Sequence, residues 1–321
     1  MKKKLFLVTL AGLFLLTGCG KKVELQDGKQ VIASIDGKKI TAEELFDELK
    51  SQYGVSNIID AIDSYIVNKE ITDSSDAEDY AKGQLSYLKN QAEASSLDVD
   101  SVLSQYGFAS QTDFLNYNIA SYKKKELVKK YLKENRITED EINKYYEENI
   151  YGNYTAKHIL IKSTATSSST DEEQTAAEEA AKTKAKEVIE KLNNGSKWED
   201  LVKEYSEDTG SKDSDGLIEN FTKGNVVDEF FNATVALKDG EYTKEPVKST
   251  YGYHVILRVS ATAKPSLKDK KEDVLNALAE NYLDNDSNLY NNTLIDIRKK
   301  YNLSINDDTL KTQYDQKTAS K

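Results

Sequence analysis

Apolar positions are arranged in distinct ways along the chain. Residues 5–16 form one apolar run. From residue 31 the spacing changes. Val31-Ile-Ala-Ser-Ile35 reads as a short strand, and Asp36-Gly37 follows as a turn. Thr41 and Glu44 then have capping-box spacing ahead of Leu45, Phe46 and Leu49, which predicts a helix that Gly54 is expected to end. Further helical stretches are predicted at about 57–71, 76–94, 98–106, 111–135 and 139–149, the last opening with Thr138 and Glu141 as a second capping box. No proline occurs before residue 246, so long helices are uninterrupted.

The middle of the chain has a different pattern. Residues 154–162 predict a strand, 163–170 a Ser/Thr loop, and Thr170 with Glu173 opens a charged helix running to Leu192. Asn193-Asn194-Gly195 stops it. Ser196 and Glu199 repeat the capping-box spacing, and Trp198, Leu201, Val202 and Tyr205 then fall at i, i+3, i+4 and i+7, one apolar face of a short helix. Another helix is expected over 228–237, and two strands near 243–249 and 253–260 are joined through Tyr251-Gly252. The result is a β-α-α-α-β-β unit. After Lys264-Pro265 one long helical pattern returns, marked by Leu267, Val274, Leu278, Tyr282, Leu289 and Ile297, and residues 303–305 read as a strand. An insert between helical flanks implies that the flanks pack into one discontinuous domain.

The length, 321 residues, allows two or three domains, and 20 Tyr with 8 Phe argue against wholesale disorder despite 31% charged residues. Lys2, Lys3 and Lys4 precede the apolar run at 5–16, which is shorter than the ~20 residues a bilayer span needs. It reads as the core of a signal peptide. Leu16-Thr17-Gly18-Cys19 resembles the lipobox of bacterial lipoproteins, which implies cleavage before Cys19 and lipidation of its thiol. Cys19 is the only cysteine, so the mature chain has neither disulfide nor thiol chemistry. Two acyl chains would hold it stably at a membrane. Removing the leader leaves 41 Lys and Arg against 55 Asp and Glu, a net charge of −14, which disfavours nucleic acid as a partner.

The candidate chemistry rests on two histidines. His158 lies in Ala156-Lys-His-Ile-Leu-Ile161 and His254 in Gly252-Tyr-His-Val-Ile-Leu257, apolar strands at opposite ends of the middle unit. Between them, Tyr205-Ser-Glu-Asp208 ends the Trp198 helix. Taken singly, each histidine reads as a core residue with satisfied ring nitrogens, and Asp208 as a solvated helix end. Together they suggest neighbouring strands that bring two imidazoles to one carboxylate. A zinc site built from the three is a competing reading, but it lacks the short-range ligand pair usual for zinc. No metal or cofactor is expected.

These motifs resemble the parvulin domain. Ala-Lys-His-Ile-Leu in the first strand, the Tyr-Ser-x-Asp helix end, Phe221-x-x-Gly224 before a helix bearing Phe230, Leu237-x-x-Gly240-Glu241, Pro246-Val247 and Tyr251-Gly-Tyr-His254 occur in the family's order. The flanks resemble the helical domain of PrsA-type foldase lipoproteins, and the run from Val31 to Thr41 is similar to the way such domains begin. The resemblance implies an α+β fold. A parvulin-like domain at 151–262, a small antiparallel sheet with surrounding helices, would be inserted between the parts 31–150 and 263–308 of a mainly helical chaperone-like domain. A signal peptide at 1–18, a lipidated tether at 19–30 and a disordered tail at 309–321 complete the expected organisation.

The resemblance also implies a catalytic centre of His158, Asp208 and His254, with Asp208 at a position that the family fills with Cys or Asp. The proline pocket would comprise Leu217 or Ile218, Val226 and Phe230, with Ser249 and Tyr253 at its rim. Two features depart from the family pattern. Where the family has a Gly-Gly-Asp-Leu-Gly run, this chain has Ser214-Asp-Gly-Leu-Ile-Glu219, and Val226 replaces a longer residue. The missing glycines predict a reshaped pocket edge, and the shorter Val226 a looser grip on proline with lower activity. Acidic Asp171, Glu172 and Glu173 after the first strand argue against a preference for phosphorylated Ser/Thr-Pro.

The function implied is an extracytoplasmic, membrane-anchored foldase that isomerises prolyl bonds in exported proteins and chaperones them. Its partners would be unfolded exported chains, and exposed aromatic cradles of this sort often pair as homodimers. The alternative is a non-catalytic holdase with a silent parvulin-like domain. A solute-binding lipoprotein would need two α/β lobes, and an adhesin would need repeats, neither of which the pattern contains.

Overall fold

A computed structural model describes residues 24–166 and 169–319. The expected signal peptide and the lipidation site Cys19 lie outside the described residues. The chain divides into two compact units, one formed by residues up to 128 together with 290 onward, the other by residues 129–289.

The first unit begins with a three-stranded antiparallel sheet of β1 (Leu25–Gln26), β2 (Lys29–Ile35) and β3 (Lys38–Thr41), in that order. Asp27-Gly28 and Asp36-Gly37 make the two turns with both residues at positive φ, the conformation whose twist suits a two-residue hairpin. Thr41 caps α1 (Ala42–Glu70): its hydroxyl accepts from Glu44 N–H, and the Glu44 carboxylate accepts from Thr41 N–H. Helices α2 (Ser75–Ala94), α3 (Val99–Gln105) and α4 (Gln111–Asn135) follow. Ile66, Val67, Ala81, Leu85, Leu103 and Val128 are buried along this unit.

Gly54 does not end α1, which runs through it for 29 residues. A Cβ at Gly54 would lie 2.7 Å from Leu310 Cδ2. Leu310 belongs to α11 (Asp308–Ala319), so the glycine marks the approach of a second helix. That helix occupies 309–319, a stretch expected to lack structure. The expected long helix after Pro265 is two, α9 (Leu267–Asn285) and α10 (Leu289–Lys300), and no strand forms at 303–305.

The second unit holds α5 (Glu139–Asn149), β4 (Tyr154–Ile161), α6 (Asp171–Asn193), α7 (Trp198–Tyr205), a 3-10 turn at Lys212–Ser214, β5 (Leu217–Phe221), α8 (Asp228–Ala236), β6 (Val247–Ser249), β7 (Gly252–Ala261) and α9. The strands form one antiparallel sheet in the order β5-β4-β7-β6. Strand β5 is absent from the expected β-α-α-α-β-β pattern. Helices α5 and α9 pack together within this unit, where Tyr282 Oη donates to Glu141 Oε1 at 2.7 Å and Lys271 pairs with Glu139 at 2.8 Å. The unit is therefore wider than 151–262.

Side chains alternate across β4 and β7. Ile159, Ile161, Tyr253 and Val255 face α6 and α7, where they join Ala185, Val188, Trp198, Leu201 and Val202. Tyr154, Ala156 and Ile256 face the other way and pack with Phe221, Phe230 and Phe231. His158 and His254 share this second face by the same alternation.

Candidate active site

Cross-strand register brings the histidines together. His158 pairs with Ile256 and Leu160 with His254, so the imidazoles are diagonal neighbours on one face of adjacent strands. Their Nδ1 atoms lie 3.1 Å apart and the rings stack with centroids separated by 5.4 Å. Both residues are buried, each 4% exposed.

Asp208 arrives from the other side. Strand β5 flanks only the first half of β4; beside the second half the chain leaving α7 takes its place. Glu207 N–H donates to Leu160 C=O at 2.8 Å, Leu160 N–H donates to Ser206 Oγ at 3.3 Å, and Lys162 N–H donates to Glu207 Oε2 at 2.8 Å. This pairing places Asp208 Oδ2 2.9 Å from His158 Nε2. Gly210 N–H donates to Asp208 Oδ1 at 3.1 Å and the Ser211 hydroxyl donates to Oδ2.

The partners settle the tautomers. A carboxylate only accepts, so His158 carries its proton on Nε2 and offers Nδ1 as an acceptor. His254 then donates from Nδ1 and accepts at Nε2 from the Ser249 hydroxyl, 2.7 Å away. Tyr251 N–H donates to Ser249 Oγ at 3.1 Å and begins the series. One direction of donation therefore runs from Tyr251 through Ser249, His254 and His158 to Asp208, with both imidazoles neutral.

Electrostatics agree with that assignment. Burial pushes the His158 pKa down, outweighing the opposing pull of Asp208. Burial, reinforced by repulsion from His158, lowers His254 to about 4. Burial alone would raise Asp208, but the Ser211 hydroxyl, Gly210 N–H and His158 together hold it below the ordinary aspartate value.

Beside the network lies a cavity of about 590 Å³. Leu160, Ile218, Val226, Val227 and Phe230 supply its apolar wall, and His158, Asp208 and His254 its polar side. Phe230 is 2% exposed and stands edge-on to both imidazoles, at 5.4 Å from His158 and 5.5 Å from His254. Of the expected pocket residues, Ile218, Val226 and Phe230 line the cavity and three others do not. Leu217 pairs with Lys157 and faces the opposite side of β5 from Ile218. Tyr253 is buried with Ile159 and Ile161 on the far face of the sheet, because adjacent strand residues point in opposite directions. Ser249 is buried behind His254 and acts through it.

Ser211, Lys162 and Tyr251 are additions that the sequence reading missed. Ser211 had a local signal, since a hydroxyl three residues after an aspartate that ends a helix is placed to bond it. The departures from the family's glycine run are absorbed locally. Asp215 adopts the left-handed conformation at φ 56°, which aspartate tolerates better than most residues, and Asn220 does the same at φ 53°. Gly216 remains where only glycine fits: a Cβ there would sit 2.1 Å from His158 C=O, which accepts no such neighbour. Among the described residues no three His, Cys, Asp or Glu side chains converge as a metal site.

Residues 141–262 match the PPIC-type PPIASE domain, a span that includes the whole network and the cavity. Across nearly its full length the chain is 31% identical to the foldase protein PrsA 2 of Listeria monocytogenes, covering 98% of this chain and 95% of that one. The chain belongs to the PrsA foldase family. It is also 28% identical to foldase protein PrsA of Geobacillus kaustophilus, over 88% of each chain. A solved structure of foldase protein PrsA from Streptococcus pneumoniae shares the fold, with a TM-score of 0.54 and 21% identity over 89% of this chain and 99% of that one. As a PrsA-family protein with a parvulin-type isomerase domain, the chain has an α+β architecture and the class of an isomerase, as its motifs imply.

Proposed function

We propose that this PrsA-family chain isomerises X-Pro bonds in unfolded exported proteins, with His158, Asp208 and His254 as the centre and Ile218, Val226 and Phe230 as the proline pocket. The observation that carries the reading is the meeting of two neutral, buried imidazoles and one carboxylate at the mouth of an apolar cavity.

The reaction forms and breaks no covalent bond. Amide resonance sets a barrier of about 18–20 kcal/mol to rotation. The planar amide is more polar than the twisted one, so a dry apolar wall favours the twisted state. A proline ring has no hydrogen-bonding group, and Phe230 and Val226 can hold it without a desolvation cost. The Tyr251-to-Asp208 series fixes the dipoles that face the carbonyl before substrate arrives, so no reorganisation is needed during rotation. Asp208 orients imidazoles; it does not attack. The first turn of α6 carries Asp171, Glu172 and Glu173, which supports unmodified rather than phosphorylated substrates.

The same reading places the chain on the extracytoplasmic face of the cell membrane, held by a lipid at Cys19. Among the described residues no helix is long and apolar enough to cross a membrane. Exposed Leu25, Ile35 and Phe46 in the first unit support a homodimer. The function is tested by exchange of a cis-proline peptide in the presence of the full-length chain. Acceleration is expected; the uncatalysed rate would leave only a holdase.

A further inference from the structure

The first unit has a cavity of its own, about 700 Å³, between α1, α4 and α10. Its walls mix apolar Val67, Ile119 and Leu294 with Asn68 and Asn116. Several charges line it, and all but one are matched. Arg298 donates from Nε to Asp63 Oδ1 at 2.7 Å and from Nη2 to Oδ2 at 2.8 Å. Lys124 lies 3.3 Å from Asp63 and 3.5 Å from Asp60.

Lys123 differs. It is 7% exposed, yet its ammonium meets one side-chain acceptor, Ser74 Oγ, at 3.4 Å. The one carboxylate that senses its charge, Asp73, is held by Ser75 N–H and Oγ and makes no ion pair with it. An ammonium has three donors, and a buried charge without a directly paired counter-ion is costly. The other buried cationic side chains among the described residues have carboxylates: Arg298 has Asp63, and Lys129 has Glu280 at 3.3 Å. Counted over the cavity, Lys123, Lys124 and Arg298 face Asp60 and Asp63, which leaves one cation in excess.

We propose that this cavity receives an acidic side chain of an unfolded polypeptide, with Lys123 as the counter-ion and the apolar wall taking the neighbouring residues. The carboxylate supplies what Lys123 lacks, and the asparagines satisfy the peptide's backbone groups. The site rests on the reading of this chain as a holder of unfolded proteins and does not involve the isomerase centre.

The test uses the full-length chain and two proline-free peptides of equal length, N-acetylated, C-amidated and carrying a neutral dye, one with a single Glu and the other with Gln in its place. Fluorescence anisotropy is expected to show the Glu peptide bound about tenfold more tightly, the size of one charge-assisted hydrogen bond. Non-specific attraction would act in the opposite sense, since the chain carries a net charge of −11. Lys123→Met is expected to erase the preference and Lys123→Arg to keep it, with prolyl isomerisation unchanged in both. Equal binding of the two peptides by the unaltered chain overturns the carboxylate site and leaves the holder reading intact, even if Lys123→Met proves unstable. Binding of neither peptide overturns both. A preference that survives Lys123→Met places the carboxylate elsewhere and also overturns the proposal.

Discussion

His158 Nδ1 and His254 Nδ1 lie 3.1 Å apart, and only one proton can occupy the space between them. Because His158 Nε2–H is committed to Asp208, that proton belongs to His254. A second proton on His158 would set its Nδ1–H against the His254 Nδ1–H, and one on His254 would place a charge in a buried site. The pair is therefore built to stay neutral, and this fixes its response to acid.

With the His254 pKa at about 4 in the folded chain and 6.5 for an unperturbed imidazole, the unfolded state binds more protons between those limits. Stability then rises with pH across that window. It is fully present above about pH 6.5 and is lost as pH falls through 4. The depressed His158 acts in the same direction. The second unit is expected to lose on the order of 2–3 kcal/mol between these limits, read from urea unfolding followed by the single Trp198. An unfolding midpoint that stays flat from pH 6.5 to 4 would show that the rings are already charged in the native chain.

Asp208→Ala removes the acceptor that fixes His158. Nε2 then keeps only Ser211 Oγ, at 3.0 Å, and the tautomers of both rings lose their direction. Turnover on a proline peptide is expected to fall about 10- to 100-fold, the scale of losing an orienting group. Asp208 sits at the edge of the site with its side chain 28% exposed, so thermal stability should change little. Unchanged turnover removes Asp208 from the mechanism.

Much of the site was legible because its determinants are local. Thr41, Thr138 and Thr170 make the capping boxes that their spacing announces, and the Trp198 helix buries the face that its period predicts. Ser196 and Glu199 form no box, because Lys197 is the N-cap of that helix and its side chain caps nothing. What escaped depends on partners distant in sequence. Gly54 looks like a helix stop until Leu310 is placed against it. Strand β5 is five residues long with Glu219 and Asn220 breaking its apolar run, and β4 rather than its own pattern makes it a strand. Tyr253 is the exception. Strand parity alone, given His254 on the catalytic face, puts its neighbour on the other.

Two glycines at positive φ separate backbone strain from steric clash. Gly224, at φ 86°, has open space where a Cβ would go, so Gly224→Ala should cost only the ~1–2 kcal/mol of a left-handed alanine. Gly216, at φ 75°, would place that Cβ 2.1 Å from His158 C=O and displace the strand carrying the histidine. Gly216→Ala is expected to destabilise the second unit by more than ~3 kcal/mol and to abolish isomerisation. Equal urea midpoints for the two variants would mean that the loop moves aside freely.

The buried pair Asp63–Arg298 joins α1 to α10, 235 residues apart in sequence. Asp63 is 2% exposed, so removing its partner leaves a carboxylate in the interior with Lys124 as its remaining cation. Arg298→Met is expected to cost about 3–5 kcal/mol, most of it the stranded charge rather than the lost bonds. Asp63→Leu combined with Arg298→Met removes both charges and should recover the larger part. Trp198 lies in the other unit, so the damage should appear as lost helical circular dichroism before any change in tryptophan fluorescence. If the double variant is no more stable than Arg298→Met alone, the pair holds the discontinuous unit together through its bonding geometry, and the stranded-charge account fails.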